Sequence, residues 1–414
     1  MKRHLKMPKR RVLYVHNENL MQQADKNPAV RGRATLTHSL IGSYGLLMHM
    51  QRLKPKICTY ADLRSFHNHA YVEQLVKKVT QSKQKVSENA FIADEGEKNS
   101  TSEDEADNDY CLDTTFAHKE YGLGFDCPSW RGMWEYVCAV AGGTMSACAA
   151  LCKYGTKNDC NQTIIINWTG GWHHAQRERA AGYCYVNDIV LGILVLREHF
   201  NRILYIDLDV HHGDGVQQAF EITKHVFTFS MHQYECGFYP GTGGIDDCGF
   251  GSGKGYAANF PYHSGISGGN FCKYFKRILT KILACYKPEA CVVQCGADVI
   301  VGDPLGDTNL TPADLLDCFD FILQSELPTV FLGGGGYNFT NASRFWTQLT
   351  ACCCSVELPD DIPADDKYFL KYGPDYSLHI KASKFMKNLN TLEHLETCAI
   401  AIEDNLEKYN VKAI

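Results

Sequence analysis

The chain has 414 residues, 45% of them hydrophobic and 21% charged, enough to bury the core of one large α/β domain or two smaller ones. Its net charge of −6 and pI of about 6.3 exclude a chain-wide basic field, so direct binding to nucleic acid is not expected. The 19 cysteines, an odd number with no CxxC knuckle, read as buried reduced thiols of an intracellular protein rather than a disulfide framework.

In chain order, the start MKRHLKMPKRR is basic but lacks the apolar core of a secretory signal. It reads as a plain basic end or a short nuclear-localisation patch, and the expected location is nucleus or cytoplasm, not secreted. No apolar run approaches the roughly 18 residues of a membrane span. Short β-rich runs then recur at 11–16, 163–168, 202–209, 226–232, 290–298 and 329–336, each ending in polar or glycine-rich residues. Runs this apolar suit strands buried on both faces of a parallel sheet. Helical patterns fill the intervals at 134–152, 186–199, 271–284 and 311–324, the last opened by Thr311-Pro312-Ala313-Asp314, an N-cap with proline at the first helical position. The alternation predicts one three-layer α/β domain. Residues 80–118 break the pattern: they are polar, and 94–109 holds eight acidic residues against one lysine, which reads as a mobile acidic insertion.

The unusual polar residues fall just past the carboxyl ends of the expected strands. TIIINW leads to His173 and His174, RILYI to Asp207, Asp209, His211, His212 and Asp214, VFTFS to His232, ACVVQ to Asp298, and TVFL to four glycines and Tyr337. Open parallel sheets bind ligands at this rim. One strand end with a D-x-H is more often a salt bridge or a cap. Five strand ends delivering His, Asp and Tyr to one rim are hard to explain as packing.

On a strand, Asp209 and His211 would point to one side and face one ion, with Asp298 arriving from another strand end. One imidazole and two carboxylates suit Zn²⁺ or Fe²⁺ and leave a position for water or substrate. Asp207 and Asp214 need not touch the metal. Each can accept a proton from one of the adjacent imidazoles His173 and His174, raising their basicity for acid–base work beside a metal-polarised water. Glycines 333–336 imply positive φ or close backbone approach, and a phenol at Tyr337 can donate to an oxyanion. No Lys-Ser/Thr follows them, so a phosphate loop is not expected.

The motifs WTGGWHHAQRERAAGYCYVND, YIDLDVHHGDGV, GFYPGTG, QCGADVIVGDP and LGGGGYN resemble the class I (Rpd3-type) histone deacetylases, with RATLTHSL, YGLGFDCP and YFLKYGPDYSL in support. The resemblance spans about 10–380, which would be the catalytic domain. Residues 381–414 would be a C-terminal helical extension of the same domain. It implies the arginase/deacetylase fold with a central parallel eight-stranded sheet, and zinc-dependent removal of acetyl, or longer acyl, groups from N6-acyl-lysine in histone tails or other proteins. Zinc would be held by Asp209, His211 and Asp298. His174 with Asp214 would be general base and then acid, His173 with Asp207 an electrostatic partner, and Tyr337 the carbonyl-polarising group. Asp126 would hold the substrate backbone. Gly182, Tyr183, His211, Tyr239 and Leu305 would line the acyl-lysine tunnel, and Arg33 would serve the internal channel that handles acetate. Two structural K⁺ sites are implied, the first at Asp207, Asp209, His211, Ser230 and Met231, the second at Phe220, Thr223, Val226 and Tyr256. Hydroxamate-type inhibitors are expected to bind.

The sequence departs from the family pattern in three places. Tyr183 and Tyr239 stand where the family usually has Phe, Thr169 replaces a Ser before Gly-Gly, and the insertion enlarges the loop before Asp126. The family's corepressor-bound members carry a basic C-terminal tail; its absence before Ile414 leans towards a member that works alone, of the histone deacetylase 8 type, with corepressor partners left open. Two rivals remain. An acetylpolyamine amidohydrolase on the same fold is disfavoured by the apolar Leu305 and by Asp126, and a catalytically silent acyl-lysine scaffold by the intact dyads and Tyr337.

Overall fold

The computed structural model describes residues 10–77, 120–155 and 162–412. Residues 1–9 of the basic start and the acidic insertion at 80–118 lie outside them.

An eight-stranded sheet forms the centre, with every pairing parallel and the order β2-β1-β3-β8-β7-β4-β5-β6. The strands are β1 (Arg10–Val15), β2 (Gln51–Leu53), β3 (Gln162–Asn167), β4 (Ile203–Asp207), β5 (Val226–Gln233), β6 (Ala257–Tyr262), β7 (Ala290–Gln294) and β8 (Thr329–Leu332). Strands β3 to β8 are buried along their whole length, as their unbroken apolar runs require. Helices cover both faces, so this is the three-layer arginase/deacetylase architecture expected from the sequence. They include α1 (Glu18–Ala24), α2 (Arg33–Ser43), α3 (Tyr60–Leu63), α4 (Met133–Tyr154), α5 (Asp188–Arg197), α6 (Asp214–Phe220), α7 (Gly268–Tyr286), α8 (Pro312–Gln324), α9 (Phe339–Cys354) and α10 (Leu392–Lys408). Thr311 caps α8 in a reciprocal capping box with Asp314, with proline next to it. The C-terminal α10 packs on α7 and β6.

The two strands not foreseen are the sheet edges. β2 is three partly exposed residues, too short and polar for a pattern to show. β6 contains Pro261, which disqualifies a central strand, but an edge position tolerates the missing N–H. The expected strands at 202–209, 290–298 and 329–336 overran: β4, β7 and β8 end at Asp207, Gln294 and Leu332. Asp209 and His211 therefore do not sit on a strand. They lie in the irregular segment beyond it, where Asp209 Oδ1 accepts the His211 N–H at 3.1 Å.

Register levels the strand ends. Asp207 pairs with Ser230 on one side and Gln294 on the other, Gln294 with Leu332, and Leu332 with Asn167. Four successive loops therefore leave the sheet at one height, which is what gathers their polar residues.

The apolar run also needs correction at α4. Among the described residues this helix alone is long and apolar enough to cross a membrane, yet 78% of its most apolar stretch is buried in the domain, as a core helix. The cysteines of the described residues are all free, and only Cys236 is exposed.

Candidate active site

Asp209, His211 and Asp298 meet at the rim. Their ligand atoms lie within 4.8 Å of one another, and all three residues are buried. His211 Nδ1 stands 3.1 Å from Asp209 Oδ1 and 3.2 Å from Asp298 Oδ2. Two buried carboxylates aimed at one point are costly without a cation. Burial and the neighbouring Asp209 push the Asp298 carboxyl up to about 7. At His211 burial works against charge, but the two carboxylates outweigh it and raise the imidazole to about 10. The donor chemistry fits a divalent ion such as zinc.

The remaining carboxylate oxygens are held from behind. Asp209 Oδ2 accepts from Gln294 Nε2 at 2.7 Å and from the Gly335 N–H at 2.9 Å, and Asp298 Oδ1 accepts from the Val210 N–H at 3.1 Å. The close approach expected of the glycine loop is real. A Cβ on Gly335 would come within 1.9 Å of Asp298 Oδ2, and Gly334 and Gly336 take φ of +143° and +126°.

Beside the trio stand both histidine–aspartate pairs. His173 Nδ1 is 2.8 Å from Asp207 Oδ2, His174 Nδ1 is 2.7 Å from Asp214 Oδ1, and the two Nε2 atoms face each other at 3.0 Å. Asp207 is itself held by the Tyr205 hydroxyl at 2.6 Å. Burial opposes charge on His173, but Asp207 and Asp209 outweigh it and hold the ring up at about 9. Burial and the charged His173 pull His174 down to about 4. The pair is thus split into one cationic and one neutral imidazole, and the neutral one, His174, is able to take a proton.

Tyr337 is pushed well above the ordinary phenol range by burial and by Asp298 and Asp209, so it keeps its proton and can donate it in a hydrogen bond. Its ring packs edge-on against Tyr183 with centroids 5.5 Å apart. Tyr239 packs edge-on against His174 at 4.9 Å and against His211 at 6.1 Å. Asp126 accepts the Gly182 N–H at 2.6 Å, next to Tyr183. Leu305, 37% exposed, lies on the loop that Asp303 ties to Tyr337. Arg33 is buried and grips the glycine loop, donating to Gly336 O at 2.8 Å and Gly334 O at 2.9 Å, with its guanidinium over the Trp346 ring at 4.8 Å.

Of the residues expected for a first potassium site, Asp209 and His211 belong to the trio, Ser230 pairs with Asp207 in the sheet, and Met231 follows it. Those of the second cluster around the end of α6, where the Thr223 N–H donates to Phe220 O, Val226 opens β5, and Tyr256 O accepts from the Thr228 N–H.

Several residues with a hand in this geometry were not read from the sequence. Asp188 accepts the Gly171 N–H at 2.9 Å and the Trp172 N–H at 2.8 Å, and also bonds the Thr144 hydroxyl. Asn187 Nδ2 holds His173 O at 3.2 Å and Ala175 O at 2.9 Å, and the buried His67 accepts the Asn187 N–H at 3.1 Å. Together they shape the loop carrying both histidines. His212 and His232, placed at the rim by the sequence, tie the loop of Tyr239 through Thr242 Oγ1 and Gly243 O. The adjacent Asn187-Asp188 at a helix start was the one visible signal, since such residues accept backbone N–H groups there.

A buried carboxylate–imidazole trio flanked by two histidine–aspartate pairs, at the carboxyl rim of a parallel sheet, defines a metal-dependent hydrolase. Residues 27–353 match the histone deacetylase domain. Histone deacetylase 8 of Danio rerio is 41% identical over 398 residues, covering 96% of each chain. That of Xenopus tropicalis is 41% identical over 372 residues, covering 90% of this chain and 91% of the relative. Histone deacetylase 1 of Bos taurus is 35% identical over 400 residues, covering 96% and 75%. The chain belongs to the histone deacetylase family of protein lysine deacetylases, and within it is class I and histone deacetylase 8-like.

Proposed function

We propose that this chain hydrolyses the side-chain amide of N6-acetyl-lysine in proteins, histone tails among them, with zinc held by Asp209, His211 and Asp298. A zinc ion there would act as a Lewis acid towards the acyl oxygen and acidify a water in its reach. His174 takes the proton from the attacking water at Nε2, the unprotonated nitrogen left by its Nδ1–H bond to Asp214, which turns to the water from the facing Nε2 of His173. The Tyr337 hydroxyl donates to the oxyanion that develops as the water oxygen bonds the acyl carbon. His173, kept cationic by Asp207, adds positive charge beside it. His174 then gives its proton to the departing lysine nitrogen as the C–N bond breaks, leaving acetate and a free lysine.

The observation that carries this reading is geometric: His174 Nδ1 is 2.7 Å from Asp214 Oδ1, its Nε2 faces that of His173 across 3.0 Å, and the pair stands beside the buried trio. A protein that only bound acyl-lysine would have no use for a buried base in that setting.

Asp126 would hold the substrate backbone, with Gly182, Tyr183, Tyr239 and Leu305 lining the way in. An apolar Leu305 favours peptide over the cationic chain of an acetylpolyamine. Arg33 lies under the glycine loop where released acetate would pass. Fe²⁺ suits the same donors, and K⁺ would occupy the two clusters described above. The domain would run 10–380, with 381–414 as its helical extension, acting in nucleus or cytoplasm. Hydroxamates would chelate the metal from the tunnel.

The test is turnover of an acetyl-lysine peptide and of acetylspermidine, with and without a hydroxamate. Hydroxamate-sensitive hydrolysis of the peptide is expected. Preference for acetylspermidine would favour the polyamine rival, and no turnover of either would favour the silent scaffold.

A further inference from the structure

One buried carboxylate near the rim takes no direct part in the reaction. Asp303 is buried, lies five residues beyond Asp298, and touches neither the trio nor the two imidazoles. Its two oxygens are instead spent on three backbone N–H groups. Oδ2 accepts from Tyr337 at 2.7 Å and from Asn338 at 3.0 Å, and Oδ1 accepts from Leu305 at 3.0 Å.

The local backbone explains why this carboxylate matters. Tyr337 follows four glycines, whose chain has little stiffness of its own. Arg33, Asp209 and the Ala297 N–H hold that loop through its carbonyls and the Gly335 N–H. None of them reaches Tyr337 itself. Asn338 is the N-cap of α9, so the N–H groups of 337 and 338 precede the helix and have no partner within it. A carboxylate there answers both, and the helix N-terminus favours its negative charge. The side chain of Asn338 returns the link, donating to Gly302 O at 3.2 Å. The other oxygen of Asp303 fixes Leu305, a partly exposed residue placed above at the mouth of the tunnel.

We propose that Asp303 is a positioning residue for the hydrolysis: it sets the phenol of Tyr337 and joins it mechanically to the rim at Leu305. The inference rests on the reading of Tyr337 as the donor to the oxyanion. Asparagine at 303 keeps the shape but turns one oxygen into an N–H₂ group that meets a backbone N–H head-on, so Tyr337 or Leu305 must give way. The phenol then donates from the wrong place while the tunnel, lined mainly by other residues, still admits substrate.

The experiment is a double-mutant cycle with Asp303→Asn and Tyr337→Phe, assayed on an acetyl-lysine peptide. Asp303→Asn alone lowers kcat by about 10- to 100-fold, part of the loss for removing an oxyanion donor, and moves KM by less than about threefold. In the Tyr337→Phe background the same change costs less than about twofold, because the group it positions is gone. Equal losses in both backgrounds, or a change confined to KM, would overturn the inference while leaving the role of Tyr337 intact. A Tyr337→Phe variant with full turnover would overturn both. Where Asp303→Asn is not recovered folded by circular dichroism, Asp303→Ser, which has no group to clash with the N–H donors, takes its place in the cycle with the same expected outcomes.

Discussion

The Nε2 atoms of His173 and His174 stand 3.0 Å apart, and each ring is held from behind by its own carboxylate. Two neighbouring imidazoles cannot both be charged cheaply in a buried site, so the pair divides the work. His173, beside both Asp207 and Asp209, carries the charge, and His174, with Asp214 alone, stays neutral.

This division makes Asp214 the sharper target. Asp214→Asn keeps the shape but lets His174 adopt the tautomer that has no free acceptor for the water proton. The expected loss is roughly 10²- to 10⁴-fold in kcat on an acetyl-lysine peptide, the range seen when a general base is disabled. Steady-state kinetics would show it, and a variant within about twofold of the parent would contradict the role given to His174.

Gln294 reaches the trio without being part of it. Its amide donates to Asp209 Oδ2 at 2.7 Å, and its Oε1 accepts the Gly296 N–H at 2.8 Å, so it orients a ligand on the way to Asp298. Gln294→Ala is expected to weaken zinc affinity by about 10- to 100-fold, as measured by competition with a chelating dye. Unchanged affinity would mean that Asp209 needs no such support.

Gly182 lies close against both His174 and Tyr239. Its φ is +53°, and a Cβ there would meet His174 Cδ2 at 2.4 Å and the Tyr239 hydroxyl at 2.9 Å. Gly182→Ala is therefore expected to displace either the base or the tunnel wall. kcat/KM should fall by roughly 100-fold or more, since small misplacements of reacting groups are that costly. Retention of full activity would remove Gly182 from the substrate path.

His67 gives a pH test on a residue outside the trio and the two histidine–aspartate pairs. It is buried, its Nε2 accepts the Asn187 N–H, and burial pulls it down to about 4 from an ordinary 6.5. Above pH 6.5 neither folded nor unfolded chain protonates it. Between 6.5 and 4 only the unfolded chain takes up the proton, so stability falls as pH falls. The whole loss from this group is about 3 kcal/mol. Urea melts of the parent and of His67→Phe at pH 7.5 and 5 should show a shallower pH slope in the variant, and parallel slopes would contradict the assignment.

What the sequence revealed of the site was its ionisable part. Asp209, His211, Asp298, both histidines and Tyr337 all sit at the ends of recognisable apolar runs, and a parallel sheet brings the ends of its strands to one rim. The supporting residues are a different matter. Asp188, Gln294, Asp303 and His67 hold backbone N–H groups or ligands contributed by distant segments, and no local pattern says which loop will land beside them. Strand limits failed for a related reason. Hydrophobicity continues through Val293 and Cys295 while the chain leaves the sheet at Gln294, where the turn at Gly296 presses against Asp209. At β6, Pro261 spoke against a strand only if the strand were central, and edge position is a property of the assembled sheet.

The central claim is that a metal held by Asp209, His211 and Asp298 is required for hydrolysis of acetyl-lysine. The most direct measurement strips the protein with a chelator, adds zinc back in steps, and follows bound zinc and peptide turnover together, with Asp298→Asn alongside. Turnover rising in proportion to bound zinc in the parent, with weakened zinc binding and little turnover in the variant, is the predicted result. Full turnover by the stripped protein, or an Asp298→Asn variant that binds zinc as tightly as the parent, would contradict it.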